Sequence, residues 1–358
     1  MTVLLPLSDW LTYLLFSLLA GYVFLAYIPE EKKPAVVVPR QLMLTAPLGI
    51  ALLSFMPVLN LIITFGGSIG YVQSMYSVIF EFQAGRAWMM IAWLSIFVWL
   101  TVFLKAPKAV KTIGLLLLVF AIGYASHAAS LAVLTGMLSH AVHYLTVGIW
   151  TGILLLAGWF SFNSSNWHAF LKWFHPFALG VMALIIGSGV AVMLFVLDFN
   201  TYINSWVLPY GQLLLLKHVS ILPLLAFAFI NGYLARKALK DKSFNPLPWV
   251  KAETFMISIV FFITGIMSTK APPHNVDVTA RTEGISSWYQ FFHPGMTEPP
   301  VNLAVTANIQ GILLLFCGLI LLMLILLSFR KNVHPAAAVF FALLFIISTY
   351  AGTMLSVM

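Results

Sequence analysis

Residues Val305–Phe329 read VTANIQGILLLFCGLILLMLILLSF and contain no Asp, Glu, Lys, Arg or His. As a helix this segment is about 37 Å long at ~1.5 Å per residue, enough to cross ~30 Å of hydrocarbon. In lipid, backbone N–H and C=O groups have to pair within the segment, so a run of this kind is a helix. Working outward, comparable apolar runs occupy Trp10–Ile28, Met43–Phe65, Ala87–Leu104, Thr112–Leu131, Leu138–Phe160, Pro176–Leu197, Gly211–Ala235, Ala252–Lys270 and Ala336–Thr353. The expected fold is all-α, a polytopic membrane helix bundle of about ten spans. The mildly apolar stretch Gly66–Glu81 reads as a short interfacial helix.

Composition agrees. Of the 358 residues, 61% are hydrophobic and only 8% charged, against about a quarter charged in a soluble domain. The start, Met1–Trp10, has neither a basic region nor a small-residue cleavage site, so the first apolar run reads as a retained helix. The single cysteine, Cys317, excludes an internal disulfide or a thiolate cluster and reads as a buried small apolar residue.

The net charge of +8 is a topology signal and not a sign of nucleic-acid binding. With the N-terminus outside, the cytoplasmic loops collect Lys32, Lys33, Arg40, Lys105, Lys108, Lys111, Lys172, the run from Arg236 to Lys251, Arg330 and Lys331. The outer side keeps Arg86, Lys270 and Arg281, and Lys217 falls within a span. The positive-inside rule then places both termini outside.

Leu7-Ser8-x4-Tyr13-Leu14-x6-Gly21 recurs as Leu138-Ser139-x4-Tyr144-Leu145-x6-Gly152. Spans one to four and five to eight therefore read as a parallel four-plus-four helix repeat. The expected partition is 1–131 and 132–271 for the two four-helix units, 272–304 for an outer loop and 305–358 for a C-terminal helix pair. Asp9 and Thr12 stand where the second copy has His140 and His143.

Ionisable groups inside spans are costly in lipid and mark function by default. His140 and His143 are one turn apart near the outer end of the fifth span, a spacing that puts them on one helical face. His127 falls in the outer half of the fourth span, and Lys217 and His218 lie about two turns inside the seventh. Each histidine alone reads as a group hydrogen-bonded at headgroup depth; together they read as imidazoles able to meet around a metal. Met137 beside the histidine pair and Met267 near the outer end of the eighth span are candidate thioether ligands. The loop Ala271–Asn302 carries His274, His293 and Met296, which an arriving ion would meet first. Glu253 begins the eighth span and reads as the ion-pair partner of Lys251 or Arg236, or else as an exit ligand; Asn231 closes the seventh.

At these residues the sequence resembles the copper resistance protein D (CopD) family. Ser126-His127-Ala128 is similar to its GHA element, with Ser for Gly. His143-Tyr144-Leu145-Thr146-Val147-Gly148-Ile149-Trp150-Thr151-Gly152 resembles its HxxxxxxWxGG helix, with Ile153 for the second Gly. Tyr210–Lys217 resembles YGxxLxxK, followed by Asn231, Glu253 and Ala271-Pro272-Pro273. The likeness covers about Leu115–Pro273. It implies a bacterial inner-membrane protein of copper handling, a transporter or accessory protein more than an enzyme. Its partner would be a separate CopC-like copper-binding protein outside the membrane. His140 and His218 are not family motif positions, and their ligand roles rest on placement alone. The alternative from the residues is a redox protein holding a b-type haem between imidazoles on neighbouring helices, His127 or His143 opposite His218.

Overall fold

A computed structural model describes residues 2–163, 165–238, 244–273, 275–296 and 302–358. Its Cα packing forms two compact units, Met1–Phe195 and Val196–Met358.

The first unit contains α1 (Leu4–Leu25), α2 (Arg40–Leu53), α3 (Met56–Ile69), α4 (Tyr71–Tyr76), α5 (Gln83–Phe103), α6 (Lys108–Tyr124), α7 (His127–Leu131), α8 (Val133–Trp159) and α9 (Trp167–Leu194). Its closest pairing is α1 on α8, and small residues allow it. A Cβ added at Gly152 would overlap the Ser17 carbonyl, and one at Gly21 would overlap the Gly152 backbone. One turn away, Gly148 leaves the space that the Phe16 ring fills. Phe16, Leu19, Ala20 and Val23 then join Ala141, Leu115 and Leu118 in one buried core. Residues paired by the sequence repeat are also neighbours here: Gly21 meets Gly152, and the rings of Tyr13 and Tyr144 lie 5.9 Å apart.

The second unit contains α10 (Pro209–Phe229), which runs into a π turn at Ile230–Leu234, then α11 (Ala235–Ala238), α12 (Leu247–Met267), α13 (Val276–Glu283), α14 (Ser287–Phe292), α15 (Ile309–Arg330) and α16 (Pro335–Leu355). Helices α10, α12 and α16 pack together, and α15 lies along α16. The packing boundary thus falls after Phe195, and α8 and α9 are part of the first unit, whereas the sequence partition began a unit at residue 132.

Among the described residues, nine helices are long and apolar enough to cross a membrane. Two of these are composite: Arg40–Ile69 joins α2 to α3, and Pro209–Leu234 adds the π turn to α10. The tenth expected span, Thr112–Leu131, is divided. Helix α6 stops at Tyr124 after 17 residues, and the Ser126 hydroxyl accepts from Ala129 N at 3.2 Å to cap a new helix, α7. His127 is therefore the first residue of α7 and not part of the long helix. Gly70, at φ +86°, makes the corner between α3 and α4 that a side chain would strain. Cys317 is exposed on α15, and so is not the buried residue expected. With its long apolar helices, the chain is an all-α, multi-pass membrane protein.

The 271–302 connection is not a plain loop. Asn275 Oδ1 accepts from Val278 N at 3.1 Å to start α13, and Ser286 N donates to the Val207 carbonyl at 2.8 Å just before α14. Tyr289 is fully buried and stacks on His293 at 4.4 Å, and His293 Nε2 lies 3.1 Å from the Met354 carbonyl. His293 thus holds the connection to α16. Beneath it Gln212 donates to the Trp206 carbonyl and to Met354 Sδ, and receives the Tyr350 hydroxyl.

Candidate functional site

Four of the expected ligands lie in the first unit, near the start of α8. His143 is half-buried and turned towards α9. Its Nδ1 lies 3.1 Å from the Ile185 carbonyl and 3.2 Å from Ser188 Oγ. The Ile185 oxygen can only accept. The Ser188 hydroxyl directs its proton to the Leu184 carbonyl at 2.5 Å, so it too accepts from the ring. Both contacts place the proton on Nδ1 and leave the lone pair on Nε2, the form in which imidazole binds a metal. Gly189 makes the room: a Cβ there would lie 3.0 Å from His143 Cε1.

His140 is one turn earlier, but it engages other partners. Its ring stacks on Tyr144 at 5.9 Å, and Tyr144 packs against Phe16 at 4.5 Å and Tyr13 at 5.9 Å on α1. Asp9 is near enough for its charge to act on both phenols. His143 thus meets α9, whereas the ring beside His140 is Tyr144 of its own helix, which in turn packs on α1. Met137 packs its stem against α6, where a Cβ at Gly123 would lie 3.3 Å from Met137 Cγ. His127 is exposed and lines a cavity of about 300 Å³ with Phe82, Gln83, Ser126 and Ser130. Among the described residues, no three His, Cys, Asp or Glu side chains are gathered so as to hold a metal ion.

The second unit holds the other polar residues. His218 Nδ1 lies 2.7 Å from the Tyr202 hydroxyl, on the segment leading into α10. Burial pushes the Tyr202 phenol up to about 12. Tyr202 therefore keeps its proton at neutral pH and has it to donate. Lys217 is half-buried beside His218 on α10, and Met267 is half-buried at the end of α12. His274 lies outside the described residues.

Glu253 and Asn231 are buried, at 1% and 4% exposure. Asn231 Nδ2 donates to Glu253 Oε2 at 2.7 Å and to the Trp249 carbonyl at 3.0 Å. The ion pair expected with Lys251 or Arg236 is replaced by this amide, because the carboxyl group turns into the bundle while both basic side chains are exposed. Sequence reasoning missed the residues that orient the imidazoles: Ile185, Ser188, Gly189, Tyr144 and Tyr202. Gly189, one of three internal glycines of α9 with Gly180 and Gly187, was the available signal, since glycine is costly in a helix interior without a packing reason.

With this geometry in view, residues 168–267 match the family model described as Copper resistance protein D. The resemblance to the CopD family therefore holds over that stretch. It takes in nearly all of α9, all of α10 and the whole of α12. No curated protein and no solved structure matches the chain. The protein is accordingly a multi-pass membrane protein with a stretch similar to the CopD family.

Proposed function

We propose that this protein handles copper at the membrane face where α1 and α8 begin, with His143 as the central ligand. One observation carries the reading. Ile185 and Ser188, which fix the His143 tautomer, lie within the segment that matches the CopD model. A metal-binding histidine is commonly oriented in this way, by donating its second N–H to a backbone carbonyl.

His140 and Met137 supply further donors on α8, and the cavity at His127 receives the ion from the aqueous side. His218, Met267 and His274 are separate candidate donors in the later part of the chain. A site built from few imidazoles and a thioether suits copper, above all Cu(I), better than a hard cation. The proposed setting is a bacterial inner membrane with both termini outside, where a separate CopC-like protein delivers the ion. Transport or an accessory role follows more naturally than catalysis. The duplication of spans one to four in spans five to eight is supported by the meeting of Gly21 with Gly152 and of Tyr13 with Tyr144.

The same ring orientation suits an axial ligand of a b-type haem, and one experiment separates the two. Wild-type protein and His143→Ala are purified in detergent, incubated with copper, and examined by visible spectroscopy and elemental analysis. Copper bound by the wild type and lost from the variant is the expected outcome. A Soret band with matching iron, lost from the variant, would replace copper handling by haem binding. Copper retained in full by His143→Ala would overturn the assignment of the site.

A further inference from the structure

Glu253 stands in the second turn of α12, about 9 Å along the helix from Leu247 at ~1.5 Å per residue. Among the described residues, the one hydrogen bond to its carboxyl group comes from Asn231 Nδ2. Asn231 reaches it from the π turn that follows α10, a distortion of the helix ladder that often marks a functional position. The other end of the same amide is unsatisfied: Asn231 Oδ1 is buried and has no hydrogen-bond partner among the described residues.

Two needs therefore coincide. An ionised Glu253 is a charge inside an apolar bundle with one neutral donor to support it, a costly state. Asn231 Oδ1 is an acceptor without a donor, also costly when buried. A proton on the carboxyl group removes the charge and creates an O–H donor on the group that the Asn231 amide already meets. A hard metal cation is a poorer answer, because it takes roughly six to eight oxygen ligands where this pair offers a carboxyl and one amide oxygen.

We propose that Glu253 and Asn231 form a proton-binding site between α10 and α12, distinct from the histidines of α8. The neutral acid closes a two-way bond with the amide, Asn231 Nδ2–H to one carboxyl oxygen and the carboxyl O–H to Asn231 Oδ1. Release of the proton breaks the second bond and leaves a carboxylate that favours opening of the π turn to water. Buried acids of this kind mark proton paths in membrane proteins.

Among the described residues, the ionisable groups on the elements packed against α12 leave this balance to the pair itself. On α10, Tyr210, Lys217 and His218 precede Asn231 by more than three helical turns. Tyr350 lies near the far end of α16, whereas the turn before that helix is the near one. Tyr233 in the π turn is exposed, as are Arg236, Lys251, Arg330, Lys331 and His334, where water and salt screen them.

The test uses the full chain in lipid nanodiscs and does not depend on copper. Infrared spectra are recorded across a pH titration, in H₂O and D₂O, for the wild type, Glu253→Gln and Asn231→Leu. The wild type is expected to show the carbonyl stretch of a protonated acid, shifting in D₂O and fading as pH rises, and Glu253→Gln to lack it. Glu253→Gln copies the neutral acid, with an amide N–H for Asn231 Oδ1, so its thermal midpoint should stay within a few degrees of the wild type. Asn231→Leu should move the pH at which the band fades. A wild type without the band at every pH where it is folded, or a band that persists in Glu253→Gln, would overturn the proposal. So would Glu253→Gln that fails to fold.

Discussion

The start of α8 and the start of α12 solve opposite problems with polar groups in a helix bundle. At α8, imidazoles, phenols and Asp9 sit half-buried in the first half of the α1–α8 helix pair, and a separate cavity of about 300 Å³ lies at His127 of α7. At α12, one carboxyl and one amide are sealed between helices and complete each other only with something as small as a proton. The first place is shaped by room, made by Gly148, Gly152 and Gly189. The second is shaped by the absence of room, and by a π turn that aims Asn231 inward. The proposed ligand from outside would use the first, and the proposed proton the second.

If the α8 region depends on backbone proximity, filling that space should do the most damage of any change considered. Gly152→Leu places a side chain where the Ser17 carbonyl already stands, on rigid backbone that cannot yield. Overpacking commonly costs about 1–3 kcal/mol, and a clash with backbone exceeds that range. The expected result is loss of the monodisperse peak on size exclusion and little recoverable protein. A variant that purifies normally with an unchanged melting temperature would show that α1 and α8 do not meet as described.

The α12 region should respond to chemistry more than to volume. Glu253→Ala leaves both ends of the Asn231 amide buried with fewer partners, at a cost of about 1–3 kcal/mol, read as a lower thermal midpoint. Glu253→Gln keeps the partner and should lose little. Equal losses in the two variants would mean that the site is held by packing, and the contrast between the regions would weaken.

What could be read from sequence follows the same division. The spans were legible because lipid imposes one solution on an apolar run, and Val305–Phe329 could be little else. The break after Tyr124 was less legible, since Ser126 acts as a cap only once the chain has turned. His140 and His143 were legible as a pair on α8, but their partners were not. Spacing reports the face of one helix, while Ile185, which meets His143, comes from another. Glu253 and Asn231 were legible as polar residues at the ends of two spans, but not as partners of each other. Their meeting depends on a π turn that no residue pattern announces, and the many nearby Lys and Arg residues offered a simpler but incorrect partner.

The smallest expected effect is the most specific to the α8 site. Ser188→Ala removes one of the two acceptors that hold Nδ1–H of His143, but the Ile185 carbonyl remains at 3.1 Å. The tautomer should persist and the ring should become less firmly oriented. Loss of an outer hydrogen bond of this kind lowers metal affinity about 10–100-fold, and with one acceptor retained the low end applies. Copper titration against a competing chelator should therefore show about a tenfold loss for Ser188→Ala, beside near-complete loss for His143→Ala. Unchanged affinity would mean that Ile185 alone orients the ring. A loss as large as that of His143→Ala would instead make the serine hydroxyl a direct partner of the ion, and the site would have to be redrawn on the α9 side of His143.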